Sequence, residues 1–87
     1  MKDAKDKEGH SIKILGRAGM MFMDKKEKFF VDCEMLVGPH FDLVVYANSV
    51  SPWEGDSTML TQARKDEIIR IVLKLLESTK IRAELAP

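Results

Sequence analysis

This chain of 87 residues lacks several features that often indicate how a small protein works. Cys33 is its only cysteine, so an internal disulfide is excluded and a reducing, cytoplasmic setting is favoured. No segment approaches the roughly 20 apolar residues that a membrane helix requires, so no membrane association is predicted. Fourteen basic residues balance fourteen acidic ones, which gives a net charge of zero. The chain therefore has no overall basic character of the kind that favours nucleic-acid binding.

Lysine and arginine are missing from one internal window, residues 29–56. The acidic residues of this window are Asp32, Glu34, Asp42, Glu54 and Asp56. The remainder of the chain carries all the basic residues against nine acidic ones. The two parts thus have opposite net charges. Such an asymmetry gives information about the charge of a binding partner and not about the fold.

Residues that could form a catalytic or metal site are few. The chain has two histidines, His10 and His40, whereas a transition-metal site needs three or four converging ligands. Asp32 and Glu34 project from one strand face, but exposed carboxylates are usually just solvated. No metal site, cofactor or catalytic residue is therefore predicted, and direct nucleic-acid binding is not expected. A small enzyme that uses Asp32, Glu34 and His40 remains an open alternative.

The residue pattern predicts one α+β domain over residues 11–87, preceded by a flexible tail over residues 1–10. Alternating apolar residues predict strands over residues 11–17, 20–24, 29–37 and 41–50, with a short closing strand near residue 83. Thr61 can cap a helix whose apolar residues recur at helical spacing up to residue 79. The predicted fold is an antiparallel sheet of four or five strands with one long C-terminal helix packed on one face.

The pairing of the third and fourth strands decides where the acidic residues point. A three-residue loop at Gly38-Pro39-His40 gives a continuous apolar face in which Val37 lies opposite Phe41, Met35 opposite Leu43, Cys33 opposite Val45 and Val31 opposite Ala47. The opposite face then carries Asp32, Glu34, Asp42 and Tyr46, with Leu36 opposite Asp42, Glu34 opposite Val44, Asp32 opposite Tyr46 and Phe30 opposite Asn48. A two-residue loop would mix charge into the buried face, where an unpaired carboxylate costs several kcal/mol. The first register is therefore preferred, and it turns the acidic residues towards solvent.

A surface that combines acidic and aromatic residues is typical of protein interfaces, where rings supply burial and charges supply selectivity. The predicted contact residues are Asp32, Glu34, Asp42, Tyr46, Trp53, Glu54 and Asp56. Trp53 can either cover the edge of the core or belong to the interface, and both roles are compatible. An alternative is a homodimer or larger homo-oligomer formed by an exposed edge strand.

Several short motifs resemble those of small α+β immunity proteins from bacterial polymorphic-toxin and contact-dependent inhibition systems. These are the Gly16-Arg17 turn, the strand FFVDCEML, the Gly-Pro and FDLVVY hairpin, the SPWEG loop and one terminal amphipathic helix. Over residues 11–85 the chain is similar to the family catalogued as immunity protein seventy-four. The resemblance implies that Arg17 and Trp53 match the family's Arg and Trp signature. It also implies that the chain binds and blocks a cognate toxin domain, of a kind that is often a nuclease with a cationic active site.

Overall fold

The computed structural model describes residues 3–53 and 60–87, and it consists of one α-helix packed on a seven-stranded sheet. The elements are β1 (Asp3–Lys5), β2 (His10–Ile14), β3 (Ala18–Asp24), β4 (Glu27–Met35), β5 (Leu43–Tyr46), β6 (Ser51–Pro52), α1 (Gln62–Ser78) and β7 (Ala83–Ala86). The predicted α+β class and the single long helix are confirmed.

The sheet is mixed, so the prediction of a purely antiparallel sheet with four or five strands is wrong. Its strand order is β1-β2-β3-β4-β5-β7, and β6 pairs with β4 beyond the end of β5. All pairs are antiparallel except β5 with β7, which is parallel. The reason is that α1 lies between β5 and β7 in the chain, and a helical crossover returns the next strand in the same direction.

The core lies between α1 and one face of the sheet. Fully buried sheet residues include Met20, Phe22, Val31, Cys33 and Val45. The helix contributes a buried stripe at helical spacing, which comprises Ile68, Ile69, Val72, Leu75 and Leu76. Because neighbouring strand residues alternate between faces, the residues between the buried ones point away from α1.

Cys33 is a buried, free thiol in this core. Desolvation by burial raises its pKa and outweighs the lowering by a hydrogen bond from the Gly19 backbone, while the charge of Asp32 adds a smaller increase. A raised pKa keeps the sulfur in its unreactive thiol form. Cys33 thus behaves as the small apolar core residue that the sequence predicts.

Residues near the N-terminus form a strand that the sequence pattern did not indicate. Asp3–Lys5 pair with β2, and Ala4 is buried in the core. His10, placed by the sequence analysis in a tail, begins β2 and pairs with Asp24 of β3. A three-residue strand is too short for its alternation to be recognised, so only its packing reveals it.

The apolar face of the β4–β5 hairpin extends past the helix. Met35 and Phe41 are each 38% exposed and Val37 is fully exposed, although the preferred register predicted a core face for all three. The helix ends at Ser78, and an open groove of about 640 Å³ lies between Met35, Leu43 and Ile81. The register is correct, but the helix is too short to cover this end of the hairpin.

Candidate functional site

The sheet face that points away from α1 carries the candidate site. We call the part of this face that β4, β5 and the residue after β6 form the outer face. It comprises Phe30, Asp32, Glu34, Val44, Tyr46 and Trp53. Strand alternation along β4 places Phe30, Asp32 and Glu34 on this face, since Phe29, Val31 and Cys33 are buried against the helix. The carboxylates of Asp32 and Glu34 are exposed, whereas the three aromatic side chains are half-buried.

The register that exposes the acidic residues is confirmed. Cys33 pairs with Val45, Glu34 with Val44, and Met35 with Leu43. This is the arrangement given by the three-residue loop, and the Leu36 N–H donates to the Asp42 carbonyl at 3.0 Å in continuation of the same ladder.

The pairing of β4 with β5 ends earlier than predicted. The chain leaves the sheet after Tyr46 in a short 3₁₀ turn, Ala47–Ser49, so the predicted pairs of Val31 with Ala47 and Phe30 with Asn48 do not form. The Ser49 hydroxyl accepts a 2.7 Å hydrogen bond from the Asp32 N–H and donates to the Tyr46 carbonyl at 2.6 Å. It thereby replaces a strand partner and fixes the backbone that carries Asp32 and Tyr46.

Tyr46 and Glu34 form the polar centre of the outer face. The Tyr46 hydroxyl donates to Glu34 Oε1 at 3.2 Å. Desolvation is the first cause that raises the pKa of Tyr46, followed by this hydrogen bond and by the charges of Glu34 and Asp32. In the part of the chain that the structure describes, no Lys, Arg or His nitrogen lies within 4.0 Å of the Asp32 or Glu34 carboxylate. Their negative charges are therefore not neutralised by an ion pair there.

Phe30 and Trp53 form the aromatic part of the outer face. Their ring centroids lie 6.4 Å apart with an interplanar angle of 44°. Phe30 covers Gly19 of β3, where a Cβ atom would come within 2.8 Å of Phe30 Cε1. The backbone N–H of Trp53 donates to the Lys28 carbonyl at 3.1 Å, which fixes the main chain at Trp53. Trp53 thus lies beside Phe30 on the outer face, at the Lys28 end of β4, and not in the core.

Asp42, a predicted contact residue, makes internal hydrogen bonds. Its Oδ1 accepts from Arg82 Nη2 at 3.0 Å, and its Oδ2 accepts from Arg82 N at 3.0 Å and Nε at 3.2 Å. The Arg82 side chain also donates to the Pro39 carbonyl at 2.7 Å. Hydrogen bonds from Arg82 are the first cause that holds the pKa of Asp42 below its ordinary value. Asp42 therefore connects the hairpin to the segment before β7, a pairing across 40 residues that no local pattern reveals.

The remaining predicted site residues lie at the edge of the outer face or outside the described residues. Arg17 is exposed in the turn between β2 and β3, where its carbonyl accepts a hydrogen bond from the Met35 N–H at 3.1 Å. Since Ala18 pairs with Glu34, this turn lies at the Glu34 end of the outer face. Glu54 and Asp56 lie outside the described residues.

Sequence reasoning missed a charged cluster between the β1–β2 turn and the start of α1. His10 Nδ1 lies 2.8 Å from Asp6 Oδ2, and His10 Nε2 lies 3.5 Å from Asp24 Oδ1. Arg64 Nη2 donates to Asp24 Oδ2 at 2.8 Å, and Arg64 Nη1 donates to Glu67. The i, i+4 spacing of Asp6 and His10 was the only signal available in the sequence. The ion pair between Arg64 of α1 and Asp24 of β3 attaches the helix to the sheet.

Two absences concern only residues 3–53 and 60–87. No three His, Cys, Asp or Glu side chains converge there in a way that could hold a metal ion. No helix there combines the length and the apolar character needed to cross a membrane.

Comparison of this chain with family models, curated proteins and solved structures finds no match. The resemblance to immunity proteins therefore stays a prediction based on the motifs quoted above.

Proposed function

We propose that this chain is a non-enzymatic binding protein that attaches to a basic protein partner through its outer face. The observation that supports this most directly is the exposure of Asp32 and Glu34, without a basic neighbour within 4.0 Å in the described residues, beside three partly exposed aromatic rings. Aromatic residues are enriched at the energetically important centres of interfaces, and complementary charge raises the association rate and the selectivity.

The outer face is also held in place before any partner arrives. Ser49 fixes the backbone of Asp32, Tyr46 orients Glu34, and Phe30 rests on Gly19 and Trp53. Side chains that are already ordered lose little conformational entropy on binding, and this lowers the cost of association. A fixed acidic and aromatic surface therefore suits tight binding to one cationic site better than loose attraction to many.

The partner class that fits these features is a cognate toxin domain that acts as a nuclease with a cationic active site. The acidic outer face complements the positive charge of a site that itself binds nucleic acid, and the motifs around Arg17 and Trp53 resemble those of the immunity proteins named above. On this proposal the chain works in the cytoplasm of the producing cell and needs no cofactor.

The double charge reversal Asp32→Lys and Glu34→Lys tests this function. Placing two positive charges against a basic partner is expected to weaken binding by about a hundredfold, since like charges at an interface cost several kcal/mol. The measurement is survival of cells that co-express the variant with the proposed cognate toxin domain, together with the Kd of the purified pair.

The matched control reverses two exposed acidic residues of α1, Asp66→Lys and Glu77→Lys, which changes the net charge equally on the opposite side of the molecule. Circular dichroism establishes that both variants are folded. Full protection by a folded outer-face variant would refute the proposal, as would an equal loss of protection in the control.

A second candidate function is a homo-oligomeric module. It is favoured by β7, which is an edge strand of the sheet and carries Leu85 with 48% of its surface exposed. Pairing of two β7 strands would extend the sheet across a two-fold axis. This candidate does not use the outer face, so the charge reversals would leave such a dimer intact.

A further inference from the structure

The fold contains its own example of how an arginine side chain is held. The Arg64 guanidinium carbon lies 5.3 Å from the centre of the Phe29 ring. The same guanidinium donates from Nη2 to Asp24 at 2.8 Å and from Nη1 to Glu67. An aromatic ring on one side and carboxylates at the edge together satisfy the planar cation.

The outer face presents the same chemical groups on the other side of the same strand. Phe30 follows Phe29 and points to the opposite face, and the Trp53 ring lies 6.4 Å from it. The carboxylates of Asp32 and Glu34 continue along this face of β4. Among the residues that the structure describes, no arginine nitrogen comes within 4.0 Å of either carboxylate. The ring and the carboxylates are thus present, and the cation is not supplied from within.

We propose that the outer face binds an arginine side chain of the partner. The guanidinium lies against the Phe30 and Trp53 rings and donates hydrogen bonds to Asp32 and to the Glu34 oxygen that Tyr46 does not occupy. This inference rests on the proposed function, because it specifies the chemistry of the partner at the same surface.

Arginine fits this surface better than lysine for two reasons. Its planar guanidinium can stack on a ring while its edge donates two parallel hydrogen bonds to a carboxylate, whereas an ammonium is a compact and strongly hydrated charge. The hydrogen bond from the Tyr46 hydroxyl to Oε1 also fixes the direction of the Glu34 carboxylate. A carboxylate with a fixed direction binds a cation with directional N–H donors more strongly than one without them.

Two acetylated and amidated peptides test the inference, one of alternating arginine and glycine and one with lysine at each arginine position. Trp53 is the only tryptophan, so its fluorescence reports directly on binding at this surface. The arginine peptide is expected to bind with a Kd about tenfold lower than that of the lysine peptide, in line with a desolvated cation–π contact plus a bidentate pair. Equal Kd values would overturn the arginine inference but leave a basic partner in place. Binding of neither peptide would contradict the proposed function itself.

Two isosteric neutralisations locate the site. Glu34→Gln is expected to weaken arginine-peptide binding about fivefold or more, whereas Glu77→Gln on the exposed side of α1 is expected to have no effect. Equal effects of the two substitutions would overturn the assignment to the outer face.

A third variant, Phe30→Leu, separates the ring contact from the charge. It is expected to bring the ratio of the two Kd values close to one while leaving lysine-peptide binding nearly unchanged. An unchanged ratio in the folded variant would show that the rings take no part, against the proposal. If Phe30→Leu does not fold, Asp32→Asn provides the second measurement, and an unaltered preference for arginine would then overturn the bidentate contact.

Discussion

At the scale of single residues, Asp32 and Asp42 show how two acids of the same window, the one without lysine or arginine, take different roles. Asp42 accepts three hydrogen bonds from Arg82, whereas Asp32 has its N–H held by Ser49 and its carboxylate exposed. The difference arises from tertiary structure, since Arg82 is brought to Asp42 only by the return of the chain through α1 to β7. Asp42 is therefore better regarded as a structural residue than as a contact residue.

The Asp42 pair predicts a specific dependence of stability on pH. Because the folded-state pKa of Asp42 is lowered, its contribution is present at pH values above its ordinary pKa of 3.8 and is lost as the pH falls through the folded-state value. Asp42→Asn is thus expected to lower Tm slightly at pH 7, and the difference from the unsubstituted chain should shrink as the pH falls below 3.8 and vanish below the folded-state pKa. The measurement is Tm against pH for both proteins.

Glu84→Gln is the control for this prediction, because Glu84 is exposed and, within the described residues, makes no ion pair within 4.0 Å. It should shift Tm at neither pH. A difference between Asp42→Asn and the unsubstituted chain that persists unchanged into acid would show that the carboxylate charge is not what stabilises the hairpin.

At the scale of elements, the helix has a well-formed start and a strained end. The Thr61 hydroxyl accepts a hydrogen bond from the Arg64 N–H at 3.1 Å, which confirms the predicted N-cap. At the other end, the Lys80 N–H donates to the Glu77 carbonyl and the Ile81 N–H donates to the Leu76 carbonyl. This is a Schellman arrangement, which requires a left-handed residue and usually contains glycine. Here Lys80 takes that position with φ of 64°.

Lys80→Gly is expected to stabilise the protein. Relief of the left-handed strain outweighs the extra freedom that glycine has in the unfolded chain, so the free energy of unfolding should rise by about 0.5–1 kcal/mol. Urea unfolding followed by circular dichroism measures the change. The control is Lys74→Gly in the exposed helix interior, which should lower the free energy of unfolding by about 1 kcal/mol. Destabilisation by both substitutions would contradict the strain assigned to Lys80.

Elements whose signals are local were predictable from the sequence. Alternation along FFVDCEM gave β4, and the cost of burying Asp42 selected the register that sets Cys33 opposite Val45. The Thr61 cap and the helical spacing of Ile68, Val72 and Leu76 gave α1. These signals also placed Asp32 and Glu34 on an exposed face, which is the main element of the candidate site.

Features that depend on distant contacts were not predictable. The parallel pairing of β7 with β5 depends on the position of the chain at the end of α1. The four residues of β7 carry no sequence signal of strand direction. The pairing of Phe30 with Ser51, which brings Trp53 beside Phe30, depends on the turn at Ala47–Ser49. Likewise the exposure of Phe41 depends on where α1 ends, since its residue type and spacing alone favour the core.

At the scale of the whole molecule, β1 and β7, the first and last strands of the order β1-β2-β3-β4-β5-β7 in the described residues, differ in character. The edge strand β1 is connected through the Asp6–His10 pair to the charged cluster at the start of α1. The other edge strand, β7, contains only Ala83, Glu84, Leu85 and Ala86, and its middle residues are exposed. An uncovered edge presents unpaired backbone groups that can pair with another strand. Short length and the charge of Glu84 are features that normally limit such pairing.

Amide hydrogen exchange distinguishes a monomeric binding protein from an oligomer formed through β7. In a monomer, the amides of Val31 and Cys33 are expected to exchange slowest, because β4 is flanked by strands on both sides and these residues are fully buried. The amides of β7 should exchange at least a hundredfold faster, since an edge strand opens with little loss of contacts. Protection of β7 equal to that of β4, increasing with protein concentration and accompanied by a dimer in sedimentation, would show that β7 is covered by a second copy. Combined with unchanged exchange at Asp32 and Glu34 on addition of the partner, that result would favour the homo-oligomeric function over binding through the outer face.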